Sequence, residues 1–184
     1  MTRGGTTATD LATIREGEIV EIAGAIETGD DTLWSPVTGG SYAVLDLVLV
    51  LELSHFGGFR VELIEETLAC DFVLRVGTQP VLVRPPSGRL DVRGPRTTDV
   101  MSPPPDRMMT FLRDRGHWVD EPGRSITQLR YTEVRLGRGD PVSVRGLASF
   151  EIDPDPVLAG YRDPPRRLVL SAPPKGRMRF RDTE

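Results

Sequence analysis

The chain is poor in the residues that build covalent or metal-held scaffolds. Cys70 is its only cysteine, and His55 and His117 are its only histidines. One thiol cannot close an intramolecular disulfide, and one cysteine with two distant histidines cannot supply four ligands to a structural zinc. No metal and no cofactor is expected. Lysine is nearly absent too. Of 23 basic residues only Lys175 is lysine, an arginine bias that points to a GC-rich genome of bacterial type. The longest uninterrupted apolar run, Leu47 to Leu51, falls far short of the roughly 20 residues a membrane-spanning helix needs. Residues 1–10 hold one arginine and no apolar core, so they read as a flexible tail and not as a signal peptide. The expectation is a cytoplasmic protein with no membrane span.

What is present is turn chemistry. With 19 glycines and 16 prolines among 184 residues, short strands joined by turns fit better than a helical bundle. The length suits one domain, taken as residues 11–184. The net charge of −4 is unevenly spread. Residues 1–70 hold 12 acids and 3 bases, whereas residues 71–184 hold 15 acids and 20 bases. The second half can therefore present a basic surface to an anion.

Alternating or continuous apolar patterns predict strands at Glu18–Glu27, Tyr42–Leu53, Phe59–Ile64, Ala69–Val76, Pro80–Arg84 and Arg89–Val92. The Val/Leu run in Tyr42–Leu53 predicts burial on both faces, and His55-Phe56-Gly57-Gly58 reads as a hairpin turn. One short α-helix is expected near residues 103–115, with Ser102 capping it, prolines in its first turn, Asp106 at its positive end and Gly116 as its stop. Met108, Met109, Phe111 and Leu112 form its apolar stripe. Strand patterns resume at Ile126–Leu136 and Pro141–Ile152, and Arg167–Ser171 with Arg177–Arg181 reads as a closing hairpin. Gly17 to Gly24 is echoed by Gly139 to Gly146, both Gly-acid-x-Val-x-aliphatic-x-Gly. Two equivalent strands that bend at glycines are expected in a closed or nearly closed barrel. The fold class is thus mainly β and barrel-like, with an OB-like barrel as one form of it.

No catalytic constellation is legible. Cys70 sits in an apolar pattern beside Asp71 and no cation, which reads as a buried inert thiol. Glu65-Glu66 and Asp30-Asp31 are adjacent pairs, while glycosidase carboxylates are defined by spatial separation. Asp153-Pro154-Asp155 has the alternation of a calcium loop without its glycine or bidentate acid. The glycine pairs lack the strand, lysine and helix of a phosphate loop.

Four segments, in order, resemble the GIDE domain, also called BAM (beside-a-membrane), of membrane-anchored E3 ubiquitin ligases and their prokaryotic relatives. They are the Gly24–Gly39 stretch GAIETGDDTLWSPVTG, with its Ser-Pro-x-Thr-Gly turn, and Tyr42–Leu53. The Cys70–Pro85 stretch CDFVLRVGTQPVLVRP follows, and then Tyr131-Thr132-Glu133 with Leu136-Gly137-Arg138-Gly139-Asp140-Pro141-Val142 and Gly146. The chain lacks anything like the RING finger and flanking transmembrane helices of those ligases. The cysteine expected after the Ser-Pro turn is replaced near Ser41-Tyr42, and Arg75-Val76-Gly77-Thr78 stands where an Asp-rich turn is expected. The resemblance therefore implies a GIDE-like alternative to the OB-like barrel, a β-barrel-like interaction module spanning residues 11–184, and no ligase activity.

These readings converge on a non-enzymatic binding module for a protein, peptide or small ligand, with Trp34, Ser35, Pro36, Thr38 and Gly39 as its contact residues. An alternative is an OB-like binder of single-stranded nucleic acid, with Arg130 and Arg135 among an arginine set (Arg124, Arg138 and Arg145 as well) near Tyr131. An acidic chain repels phosphate at long range, which disfavours nucleic acid. A third reading is an enzyme whose site assembles only in space, for example His117 with Asp120 or Glu121.

Overall fold

The computed structural model describes residues 6–7, 11–28, 32–52, 60–88, 90–117, 126, 128–153 and 166–183. Among the described residues it is mainly β, 58% strand against 9% helix, with a closed five-stranded barrel and one short α-helix. The first strands are β1 (Thr6–Thr7), β2 (Ile19–Glu27), β3 (Leu33–Trp34), β4 (Ser41–Tyr42), β5 (Val44–Glu52), β6 (Arg60–Ala69) and β7 (Phe72–Val76). There follow β8 (Gln79–Val83), β9 (Leu90–Arg93), β10 (Arg96–Met101), helix α1 (Asp106–Asp114), β11 (Leu129–Leu136), β12 (Pro141–Ile152), β13 (Arg166–Ser171) and β14 (Met178–Asp182).

The barrel closes through β2, β7, β8, β13 and β12, with β12 returning to β2. Only the β8–β13 pair within it is parallel. Counted along the chain, its strands run 1-2-3-5-4 and close on 1, the order of an OB-type barrel. Alternation drives the closure. Val20, Ile22 and Ile26 of β2, Phe72 and Leu74 of β7, and Val142 and Val144 of β12 are buried in one cluster. Each such side chain contributes about 1.5–3 kcal/mol on burial.

The repeated sequence at Gly17 and Gly139 becomes a local two-fold. β2 and β12 lie antiparallel with Ile22 opposite Val144, Gly24 opposite Val142 and Val20 opposite Gly146. The turns entering them match as well. Gly17 N–H donates to Ala148 O as Gly139 N–H does to Ile26 O, both at 2.8 Å, and both glycines have positive φ. At the bends, a Cβ on Gly24 would stand 2.5 Å from Arg75 O, and one on Gly146 would stand 2.8 Å from Ser171 O.

The expected closing hairpin does not form. β13 and β14 follow one another along the same edge of β12, β14 pairing with Val142–Arg145 and β13 with Leu147–Ile152. β14 then takes β9 as a parallel neighbour. Within the segment read as a tail, Thr6–Thr7 pair in parallel with Val20 and Glu21 of β2.

A second sheet, ordered β10-β11-β5-β6, is built from two insertions into the barrel. One face carries Leu45, Leu47, Leu49, Ile64 and Leu129, and α1 covers it with Met108 and Leu112, both fully buried. The other face joins the barrel core at Val44, Val134 and Leu136, whereas Val48 and Val50 stay half-buried. Burial on both faces therefore holds for only part of β5. Helix α1 has Pro105 as its N-cap with no side-chain cap, so Ser102 does not cap it and the three prolines precede its first turn; it stops where Gly116 N–H meets Arg113 O. Strand β10 was not expected. Cys70 lies between β6 and β7, half-buried, its thiol 3.6 Å from Ala43 O. His55, Asp120, Glu121, Arg124 and Asp155 lie outside the described residues, as does the turn at 55–58.

Candidate functional site

The Ser-Pro turn is carried by the two-residue ladder of β3 and β4, which pairs Leu33 with Tyr42 and Trp34 with Ser41. Ser35 N–H donates to Gly40 O and Gly39 N–H to Ser35 O, each at 2.9 Å. The Ser35 hydroxyl organises the interior. Its oxygen accepts the Val37 and Thr38 N–H groups at 3.2 and 3.1 Å. Its proton goes to Glu133 Oε1 at 2.5 Å. Ser35 and Glu133 are both 0% exposed.

Glu133 lies on β11, on the face shared with Leu129, Tyr131 and Arg135. Its Oε2 is buried and without a hydrogen bond among the described residues, and Arg135 Nε stands 3.5 Å away. A buried carboxylate is costly unless it is paired, so this contact is a major demand on the local fold. Tyr131, beside it, has its hydroxyl pushed above the ordinary phenol range by burial, then by Asp99 and Glu133, against Arg135.

Three further anchors hold the turn. Arg107 of α1 donates from Nε to Pro36 O at 3.0 Å and from Nη2 to Val37 O. The Val37 side chain is buried in the helix-covered cluster. Tyr42 closes the third side, its hydroxyl 3.3 Å from Thr38 Oγ1 and accepting from Arg135 Nη1 at 3.3 Å. The Arg135 guanidinium also lies over the Tyr42 ring, 5.4 Å from its centre. A Cβ on Gly137 would press to 3.1 Å of that ring.

What this frame presents to solvent is Trp34, 65% exposed, matched among the described large apolar side chains only by Ile152. The sequence-nominated residues Trp34, Ser35, Pro36, Thr38 and Gly39 thus lie together, and Arg135 joins them. Arg130 does not. It differs from Arg135 by an odd number of positions on one strand, and so projects from the opposite face of the sheet. Arg145 lies on the barrel's outer wall, away from both.

Chemically, the arrangement is a clamp. Ser35 Oγ already accepts two N–H groups and gives its proton to a carboxylate, inside a fully buried site; it is not exposed to an incoming substrate. Among the described residues, no group of three or more His, Cys, Asp or Glu is placed to hold a metal ion. Arg107 and Tyr42 were invisible as site residues in the sequence. Glu133 left a signal, an acid in the inward phase of the Leu129-x-Tyr131-x-Glu133 alternation. No protein-family model, no curated protein and no solved structure matches the chain.

Proposed function

We propose that the chain is a non-enzymatic binding module whose contact surface is the Ser-Pro turn, with Trp34 as its anchor and Thr38, Tyr42 and Arg135 around it. The observation that carries this reading is the fastening of the turn to β11, α1 and β4 while Trp34 is left 65% exposed. A rigid scaffold holding an exposed tryptophan lowers the ordering cost of association, and tryptophan is a preferred anchor of protein interfaces. The likeness to GIDE/BAM domains supports an interaction role, and the bound class is a protein or peptide.

The single-stranded nucleic-acid reading loses support because Arg130 and Arg135 cannot line one groove. The test is affinity capture from an extract of the source cell, comparing the native chain with Trp34→Ala. A partner held by the native chain and released by the variant supports the module. Equal capture by both would sink it, as would substrate turnover abolished by one substitution.

A further inference from the structure

The outer wall of the eight-stranded sheet, where β14 and β9 extend the barrel beside β12, gathers arginines from three strands, and strand register sets them in two rows. In the first row Glu21 of β2, Arg145 of β12, Arg179 of β14 and Asp91 of β9 are successive partners. In the second row Ala23, Ser143, Arg181 and Arg93 follow in the same order. Between the rows, Ile22, Val144, Phe180 and Val92 point the other way, into the core. Both rows therefore face outward.

Each row sets two arginines directly opposite, Arg145 against Arg179 and Arg181 against Arg93. Like charges in that position repel; the first row offsets its pair with Glu21 and Asp91 at its ends, whereas the second row carries no acid. Asp91 serves two of them, at 3.6 Å from Arg179 and 3.5 Å from Arg93. Glu21 accepts from Ser143 at 2.8 Å. Among the described residues Arg181 and Arg145 make no ion pair, and Arg145 Nε is buried without a hydrogen bond. Arg181 and Arg93 line an open depression with Gly94, Pro95 and Asp182.

We propose that this wall binds a compact oligophosphate, Arg93 and Arg181 clasping one phosphate and Arg145 with Arg179 the next. Neighbouring strands lie about 4.8 Å apart and the rows about 6.7 Å apart, separations that the flexible arginine side chains narrow to meet phosphates linked through shared oxygens. Guanidinium groups bind phosphate oxygens in pairs. The ligand is compact because Glu21 and Asp91 close the first row at both ends. Neither row offers an aromatic side chain on which a base could stack. A chain of net charge −4 also repels a long polyanion.

Calorimetric titration with sodium tripolyphosphate tests this, first at low salt and then at about 0.15 M, where screening sets in within about 8 Å. One ligand per chain is expected. Arg181→Gln should bind roughly tenfold more weakly, the scale of one charge-assisted hydrogen bond. The double variant R93Q/R181Q should not bind, and Arg166→Gln should bind as the native chain does. Without ligand, Arg181→Gln should keep or raise the thermal midpoint, because it relieves repulsion. A fall would mark a structural arginine and overturn the proposal. So would absence of binding at low salt, equal binding by the double variant, or tighter binding of oligodeoxythymidylate with affinity that grows with length.

Discussion

Gly24 and Gly146 occupy equivalent places on two paired strands, and each admits the carbonyl of a neighbouring strand where a side chain would otherwise stand. Arg75 O would lie 2.5 Å from a Cβ at the first and Ser171 O 2.8 Å from one at the second. Backbone cannot move aside as a flexible side chain can. Gly24→Ala and Gly146→Ala should each destabilise the fold by about 2–3 kcal/mol. Gly77→Ala, with open space around it but φ at +60°, should cost about 1–2 kcal/mol. Urea unfolding measures all three, and an equal small loss throughout would contradict the close approach.

Ser35 and Glu133 should behave as one unit. Ser35→Ala leaves a buried carboxylate without its donor, and Glu133→Ala strands the hydroxyl and the Arg135 charge. Each should cost about 2–4 kcal/mol, with Glu133→Gln milder because its carbonyl still accepts from Ser35. The double variant should cost less than the sum by about 1–3 kcal/mol. Additive losses would show that the two side chains do not depend on one another.

Trp34→Ala separates stability from binding. An exposed side chain outside the core changes stability by no more than about 0.5 kcal/mol. Chemical denaturation should therefore superpose with that of the native chain while partner capture is lost. A large drop in stability would make Trp34 a structural residue.

Acid should weaken the barrel at two identifiable ion pairs. Arg75, bonded to Glu27 at 2.6 Å, holds that carboxyl below its ordinary value of 4.5, and Arg84 does the same to Glu151. A depressed carboxyl stabilises the fold fully above 4.5, and the contribution is lost as pH falls below it. These groups are exposed, so the effect is modest and salt-sensitive. In R75Q/R84Q the fall of the thermal midpoint below about pH 4.5 should be shallower than in the native chain. Tyr131 acts at the other limit. Its raised value favours the neutral phenol, so its contribution is complete below 10 and lost as pH rises through the folded value. Tyr131→Phe should flatten the alkaline limb.

The barrel was readable because its strands carry their own signal. Alternating Val20, Ile22 and Ile26 mark β2, and the duplicated glycine pattern foretold its equivalence with β12. β10 gave no such signal. Arg96-Thr97-Thr98-Asp99 is polar and exposed, and its strand character comes from pairing with β11. Turn chemistry exposed the Ser-Pro loop, but its fastening did not follow, since Arg107 lies 71 positions from Pro36 in the chain. The arginine rows stayed hidden for a similar reason. Local pattern located β14 but not its neighbours, and a hairpin with β13 would have matched different residues. Sequence told which segments are extended; partner choice depends on contacts among distant parts of the chain.

The interleaving of barrel and sheet governs how this molecule can be made and dismantled. The hairpin β5–β6 leaves the chain between the first two barrel strands, and β10, α1 and β11 leave it between the third and fourth. No contiguous fragment therefore holds the barrel without strands of the sheet, or the sheet without strands of the barrel. The seam between β2 and β12, where Ser143 meets Glu21 from 122 positions away, closes only after β12 has been synthesised. Such long closures favour slow, all-or-none folding. Excising either half to study it alone would take strands from the other.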